Sequence, residues 1–197
     1  MEIIIHRINK IKELKKIPTT FGTEVDIRAY GSKLILNHEP KQTGEDFDDY
    51  LDNYKNGILI LNIKESGIED EVIKKVKSHK QIKNFFLLDV EIPYLFNSLK
   101  LNKNYCAIRT SYYEPIKSML KYKKIFNWLW IDTIKNISFD DKSERKILKN
   151  FKKCLVCPER WGMPRKIEFY KNYFRKNKIN LDAVMTSLKY SKVWLEK

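Results

Sequence analysis

Eight short apolar runs, each followed by an amphipathic or lysine-rich stretch, constrain this chain more than any other feature of its sequence. They predict strands at Glu2 to His6, Thr23 to Arg28, Gly57 to Lys64, Asn84 to Val90, Tyr105 to Thr110, Trp128 to Asp132, Lys153 to Cys157 and Leu181 to Ser187. Their centres, among them ILIL, FFLL, WLWI and CLVC, are continuously apolar instead of alternating, as strands covered on both faces must be. Helical patterns fall between them at Glu69 to His79, Pro93 to Leu99, Glu114 to Tyr122, Lys142 to Phe151 and Pro164 to Lys176. Asp140 or Asp141 can cap one helix start, and Pro164, after Gly162, stands just inside another.

Strands that alternate with helices make a parallel sheet, and eight is the number that closes a (β/α)8 TIM barrel. At 197 residues the chain is short for that fold, so loops and helices must be short, and a single domain over 1–197 is expected. Gly31, between Tyr30 and Ser32, marks a hairpin turn that makes Ser32 to His38 a small antiparallel strand after the second barrel strand. A doubly wound open sheet is the alternative, disfavoured because no GxGxxG or GxxxxGKS phosphate loop occurs.

No apolar run approaches the ~20 residues that cross a bilayer, and the opening MEIIIHRINK lacks the pattern of a secretory signal, so a cytoplasmic protein is expected. Cys106, Cys154 and Cys157 are too few and too odd in number for a disulfide framework. Cys154 and Cys157 have the spacing of a metal or redox pair, but three apart on a strand they point to opposite faces, so buried free thiols are expected.

The net charge is +14. Nearly all of the excess is lysine, spread over KIKELKK at 10–16, VIKKVKSHK at 72–80, KSERKILKNFKK at 142–153 and RKIEFYKNYFRKNK at 165–178. That distribution fits solvated helix faces better than one dedicated polyanion surface. Nucleic acid is therefore not the expected partner, while a weak attraction to anionic surfaces is. The sequence does not fix an oligomeric state.

In a barrel, function gathers where strands end. The polar residues there are His6 and Arg7; Glu24, Asp26 and Arg28; Asn62 and Lys64; Asp89 and Glu91; Arg109 and Ser111; Asp132; Glu159 and Arg160; Thr186 and Ser187. Each has an ordinary structural reading: a histidine can be a hydrogen-bonded packing residue, Asp132 a cap, Glu159 a partner of Arg160. Glu24 and Asp26, two apart, share one strand face at roughly 6 to 7 Å and could grip one cation. If that face is covered, two buried carboxylates require positive charge. Lys64, two residues after Asn62, needs an anionic partner in turn.

Taken in order, His6-Arg7, Glu24-x-Asp26, His38 and Asn62-x-Lys64 resemble the motif series of the glycerophosphodiester phosphodiesterases, in the barrel superfamily that includes phosphatidylinositol-specific phospholipase C. The motifs cover the first third of the chain. The resemblance implies that His6 and His38 are acid and base, that Glu24, Asp26 and Asn62 hold a divalent cation, Mg²⁺ or Ca²⁺, and that Arg7 and Lys64 contact the phosphate of a small phosphodiester substrate. Such residues suit a transition state with charge on nonbridging oxygens and two proton transfers. Oxygen-only ligation favours Mg²⁺ or Ca²⁺ over Zn²⁺.

Departures from the family pattern bear on substrate identity: HRIN and IPTTFG replace the family's His-Arg-Gly and the Pro-Glu-Asn-Thr segment after the first strand. Asn62 stands where the family has an acid, Glu39 follows His38 in place of Asp, and Glu39 to Asn56 is too short for the insertion that shapes a glycerol pocket. The expected activity is metal-assisted phosphodiester hydrolysis. The alternatives are a noncatalytic or degenerate barrel that binds a phosphate-containing anion, and a nucleic-acid binding protein.

Overall fold

The structure, a computed structural model, describes residues 1–101, 104–122 and 125–196. It is a mixed α/β chain in two compact units, one made of Ile4–Leu101 and the other of Met1–Ile3 with Asn102–Lys197.

The unit of Ile4–Leu101 holds the end of β1 (Glu2–Ile5), then α1 (Ile11–Leu14), β2 (Gly22–Tyr30), β3 (Lys33–Leu36), β4 (Glu45–Asp46) and α2 (Phe47–Asp52). It continues through β5 (Leu59–Ile63), α3 (Glu69–Ser78), β6 (Phe85–Leu88) and α4 (Ile92–Lys100). Strand β2 is its hub. It runs parallel to β1, with Ile5 opposite Thr23, and parallel to β5, with Thr23 through Ile27 opposite Leu59 through Ile63. Beyond that it turns antiparallel partner to β3, from Ile27 opposite Leu36 to Tyr30 opposite Lys33, through a turn in which Gly31 is left-handed at φ 61°. Gly22 opens β2 because a Cβ there would lie 2.2 Å from the Ile58 carbonyl oxygen. Every residue of β5 is buried, and Val25, Ile27, Leu59, Ile60 and Leu61 have no exposed surface. The continuous apolar pattern thus does what it predicts, covering both sheet faces.

The other unit runs from β7 (Ala107–Thr110) through a 3-10 helix (Ile116–Tyr122), β8 (Trp128–Ile131), α5 (Lys142–Leu148) and β9 (Lys152–Val156). Two 3-10 turns, α6 (Ile167–Lys176), β10 (Ala183–Thr186), a further 3-10 turn and α7 (Ser191–Leu195) complete it. Strands β7, β8, β9 and β10 are parallel neighbours in that order. Leu129, Ile131, Leu155, Ala183 and Val184 are wholly buried between strands and helices.

All eight expected strands are present within two residues of their expected bounds, and the hairpin strand after β2 is β3. Asp141 caps α5 by accepting the Ser143 amide at 2.7 Å. The three cysteines are buried and free. Two expected helices differ: that over 164–176 opens as a 3-10 turn at Pro164–Lys166 before α6, and 116–122 is a 3-10 helix, begun after Pro115 and tightened where the Ser118 hydroxyl donates to the Pro115 carbonyl at 2.7 Å, a local bond that competes with the α ladder. No helix among the described residues is long and apolar enough to cross a membrane.

Candidate functional site: two buried carboxylates ringed by strand-end cations

The site lies within the unit of Ile4–Leu101, where β1, β2 and β5 end. Glu24 and Asp26 share one face of β2 and each is 1% exposed. Two ionised carboxylates so deeply buried need partners, and each finds them at the ends of the adjacent strands.

After β1 the chain turns sharply: Arg7 adopts a left-handed backbone at φ 58°, an uncommon conformation for a residue with a side chain. The turn sends residues 7–9 along β2 beyond the end of the β1 ladder. The Arg7 amide donates to Glu24 Oε2 at 2.8 Å, and the Ile8 amide to the Glu24 carbonyl at 2.9 Å. Asn9 accepts the Asp26 amide at 2.8 Å and donates its own amide to Asp26 Oδ2 at 2.9 Å.

Side chains close the ring. His6 Nε2 stands 3.7 Å from Glu24 Oε2, Arg7 Nε 3.4 Å from Asp26 Oδ2, and Lys64 Nζ 3.2 Å from Asp26 Oδ1. Asn62, on β5 directly across from Asp26, donates its amide to Glu24 Oε1 at 2.9 Å. Its carbonyl oxygen Oδ1 is buried and accepts no hydrogen bond among the described residues.

The charges do not balance evenly. Lys64 and the Arg7 guanidinium both lean on Asp26, whereas Glu24 has amides and a histidine. Burial pushes the Glu24 carboxyl up to about 7, and the Asp26 charge adds to the rise; the Asn62 and Arg7 bonds and Lys64 pull the other way. Glu24 therefore titrates near neutral pH, 3.7 Å from the His6 imidazole.

Of the sequence-predicted site residues, His6, Arg7, Glu24, Asp26, Asn62 and Lys64 come together in one chain of contacts. His38 does not join it directly. Its imidazole Nδ1 lies 2.6 Å from Glu39 Oε1, and its carbonyl accepts from Arg28 Nε and Nη2 at 3.2 and 3.0 Å. Arg28 also donates from Nη1 to the Lys64 carbonyl at 3.2 Å, so it ties the His38 loop to the end of β5. The Glu39 carboxyl is held below its usual range, first by its bond to His38 and then by the charges of His38, Arg7 and Arg28. The His38–Glu39 pair thus lies in the field of the same arginine that touches Asp26.

Among solved structures, the chain resembles the crystal structure of a "putative glycerophosphoryl diester phosphodiesterase" from Agrobacterium tumefaciens, with a TM-score of 0.63 over 98% of this chain and 96% of that one. The two share a fold. Their sequences are 10% identical. No family model matches the chain, and no curated protein matches its sequence.

Sequence reasoning missed Asn9 and the structural part of Arg28. The signal for Asn9 was weak: asparagine is a common turn residue after a strand. Its grip on Asp26 depends on the left-handed turn at Arg7, which nothing in the sequence marks.

Proposed function

We propose that this chain is a phosphodiester hydrolase similar to the glycerophosphodiester phosphodiesterases, a single-domain (β/α)8 barrel acting on a small phosphodiester in the cytoplasm. One observation carries the reading: a buried carboxylate pair on β2 whose partners are a histidine, an arginine and a lysine from the ends of the adjacent strands.

The residues fit a hard divalent cation, Mg²⁺ or Ca²⁺. Glu24 and Asp26 supply carboxylate oxygens, and the Asn62 oxygen without a hydrogen-bond partner supplies a third donor. Among the described residues no group of three or more His, Cys, Asp and Glu side chains is placed to hold a metal, so the third donor would have to be Asn62. The raised Glu24 carboxyl points the same way, since a nearby cation would relieve it. Bound there, the cation would supply positive charge against the nonbridging phosphate oxygens.

The protein's own groups divide the remaining work. Arg7 holds Asp26 through Nε while its side chain is 41% exposed, leaving the terminal nitrogens for a phosphate. Lys64 adds a second cation at the other Asp26 oxygen, Oδ1. His6 and His38 are the acid and base: one takes a proton from the attacking hydroxyl, the other gives one to the leaving alkoxide. Each has a glutamate beside it, Glu24 and Glu39, to orient the ring.

The test is hydrolysis of bis(p-nitrophenyl) phosphate and of glycerophosphodiesters with Mg²⁺, with Ca²⁺ and with chelator. Metal-dependent turnover is expected, and His6→Ala and His38→Ala should each lower kcat by about 10² to 10⁴. Turnover unchanged in both variants would overturn the mechanism. A second reading, a noncatalytic barrel that binds a phosphate-containing anion, has one observation in its favour. Asn62 donates to Glu24 instead of adding a negative charge, so the cluster is neutralised from within. Saturable binding of glycerol phosphate with no turnover under any metal would select it.

A further inference from the structure

In the unit of Asn102–Lys197, a cleft of about 840 Å³ opens between α5, the start of β9 and the loop from α6 to β10. It shares no residue with the carboxylate cluster and lies on the side where the helices return to the strands. Its charged lining residues are Lys142, Arg145, Lys146, Lys149, Lys153 and Lys178; none is acidic and none of the lining residues is aromatic.

Lysines on helices are usually solvated, so their number alone decides nothing. Their pairing and placement do more. Lys153 is neutralised by Asp182 at 3.2 Å. Lys142, Lys146, Lys149 and Lys178 have no ion-pair partner among the described residues. Arg145 is fixed by Nη1, which donates to the Phe139 and Asp140 carbonyls at 2.9 and 2.8 Å. Its remaining nitrogens make no bond among the described residues, so a planar donor edge stands ready for an anion.

Two of these cations also occupy positions that local preferences disfavour. Lys142 is the first residue of α5, where the helix dipole favours negative charge. Lys178 follows the end of α6 with φ 54°. There the Ile179 amide bonds to the Phe174 carbonyl at 2.9 Å and the Lys178 amide to the Arg175 carbonyl at 3.0 Å, a helix ending at which glycine is the unstrained residue. A glycine would serve the backbone better; a lysine serves the cleft.

We infer that this cleft binds a small polyanion carrying at least two phosphate groups. Its volume is that of a small-molecule site. Five cations without a carboxylate partner exceed what one phosphate can neutralise. A single-stranded nucleic acid would want aromatic platforms for its bases, which this lining lacks.

Inorganic tripolyphosphate is the probe, titrated calorimetrically into the whole chain at about 50 and 200 mM salt, with affinity falling as salt rises. Orthophosphate should bind at least tenfold more weakly. Lys146→Glu with Lys149→Glu should weaken tripolyphosphate at least tenfold, and Lys74→Glu on α3 should leave it unchanged. Lys178→Gly separates recognition from folding, because it should weaken binding at least fivefold while Tm stays level or rises. The inference falls if tripolyphosphate does not bind at low salt, if Lys74→Glu weakens it as much as the cleft variants, or if Lys178→Gly leaves affinity intact. It also falls if a single-stranded oligonucleotide binds more tightly than tripolyphosphate and is insensitive to the cleft variants.

Discussion

Beside the ends of β1 and β5, charged side chains meet out of solvent on β2; at the ends of β7, β8, β9 and β10, several polar side chains bond to backbone or to near neighbours, and the ion pair there, Arg109 with Glu114 at 2.8 Å, is part-exposed. Thr110 donates to the Glu114 carbonyl and Thr133 to the Val156 carbonyl, both at 2.9 Å. Asp132 accepts the Ile134 amide at 2.9 Å, and Glu159 takes the Thr186 hydroxyl at 2.6 Å and the Ser187 amide at 2.9 Å. Both regions belong to parallel strands followed by loops, and both carry polar residues where the strands stop. In the second these bonds stitch loops to strands. In the first, one buried carboxylate answers to two cations and the other to a histidine. A polar residue at a strand end is thus a weak sign of chemistry; opposing charges that meet there around a buried carboxylate are a stronger one.

Asp26→Ala should break this contrast most severely. It strands Lys64, Arg7 and Asn9 at once, and loss of one member of a buried charge cluster costs about 3–5 kcal/mol, readable by urea unfolding. Asn62→Asp should come next: without metal it exchanges a hydrogen-bond donor for a like charge and should cost about 1–3 kcal/mol. Added Mg²⁺ or Ca²⁺ should recover that loss if the cluster takes a cation, by mass action on the folded state. Recovery in the variant but none in the parent chain would favour the noncatalytic reading.

Glu24 gives a pH signature. Its carboxyl, ordinarily at 4.5, is raised to about 7 in the fold, so between those values the folded state binds more protons than the unfolded one. Stability from this group therefore falls as pH rises from about 4.5 to about 7 and is flat above. Comparison of urea midpoints across that window should show the slope in the parent and its loss in Glu24→Gln. The smallest effect belongs to the other unit: Thr133→Val should cost about 1 kcal/mol and leave any hydrolytic activity unchanged. A loss of activity there would erase the distinction between the two sets of strand ends.

The strands were legible because strands covered on both faces demand continuous apolar runs, and ILIL or WLWI could serve little else. The carboxylate pair was legible because alternate residues on a strand share a face, and Lys64 because a lysine so placed needs an anion. Less could be read where conformation follows from context. The joining segment Glu39 to Asn56 is given no helix from the sequence, yet Phe47, Tyr50 and Leu51 lie on one helical face, all fully buried, behind an Asp46 cap. Six residues are too few to announce a period. The left-handed turn at Arg7 and the Asn9 grip that follows from it were hidden for a different reason: nothing about an arginine announces that backbone. The His38 imidazole turned to its neighbour Glu39, a contact the motif series gave no cause to expect.

Strand β2 keeps three neighbours, and this bears on how the chain can change length. Thr23 is opposite both Ile5 and Leu59, Asp26 opposite Asn62, and Ile27 opposite both Ile63 and Leu36. One residue gained ahead of Thr23 would put Thr23 and Val25 where Glu24 and Asp26 now stand, one lost would put Val25 and Ile27 there, and either would turn both carboxylates to the opposite face of the sheet. Single substitutions along β2 can be graded by cost, but its length cannot drift. Insertions and deletions in this part of the chain should instead fall in exposed segments such as 40–43, so divergent relatives should align without gaps through β2 even where little else in their sequences agrees.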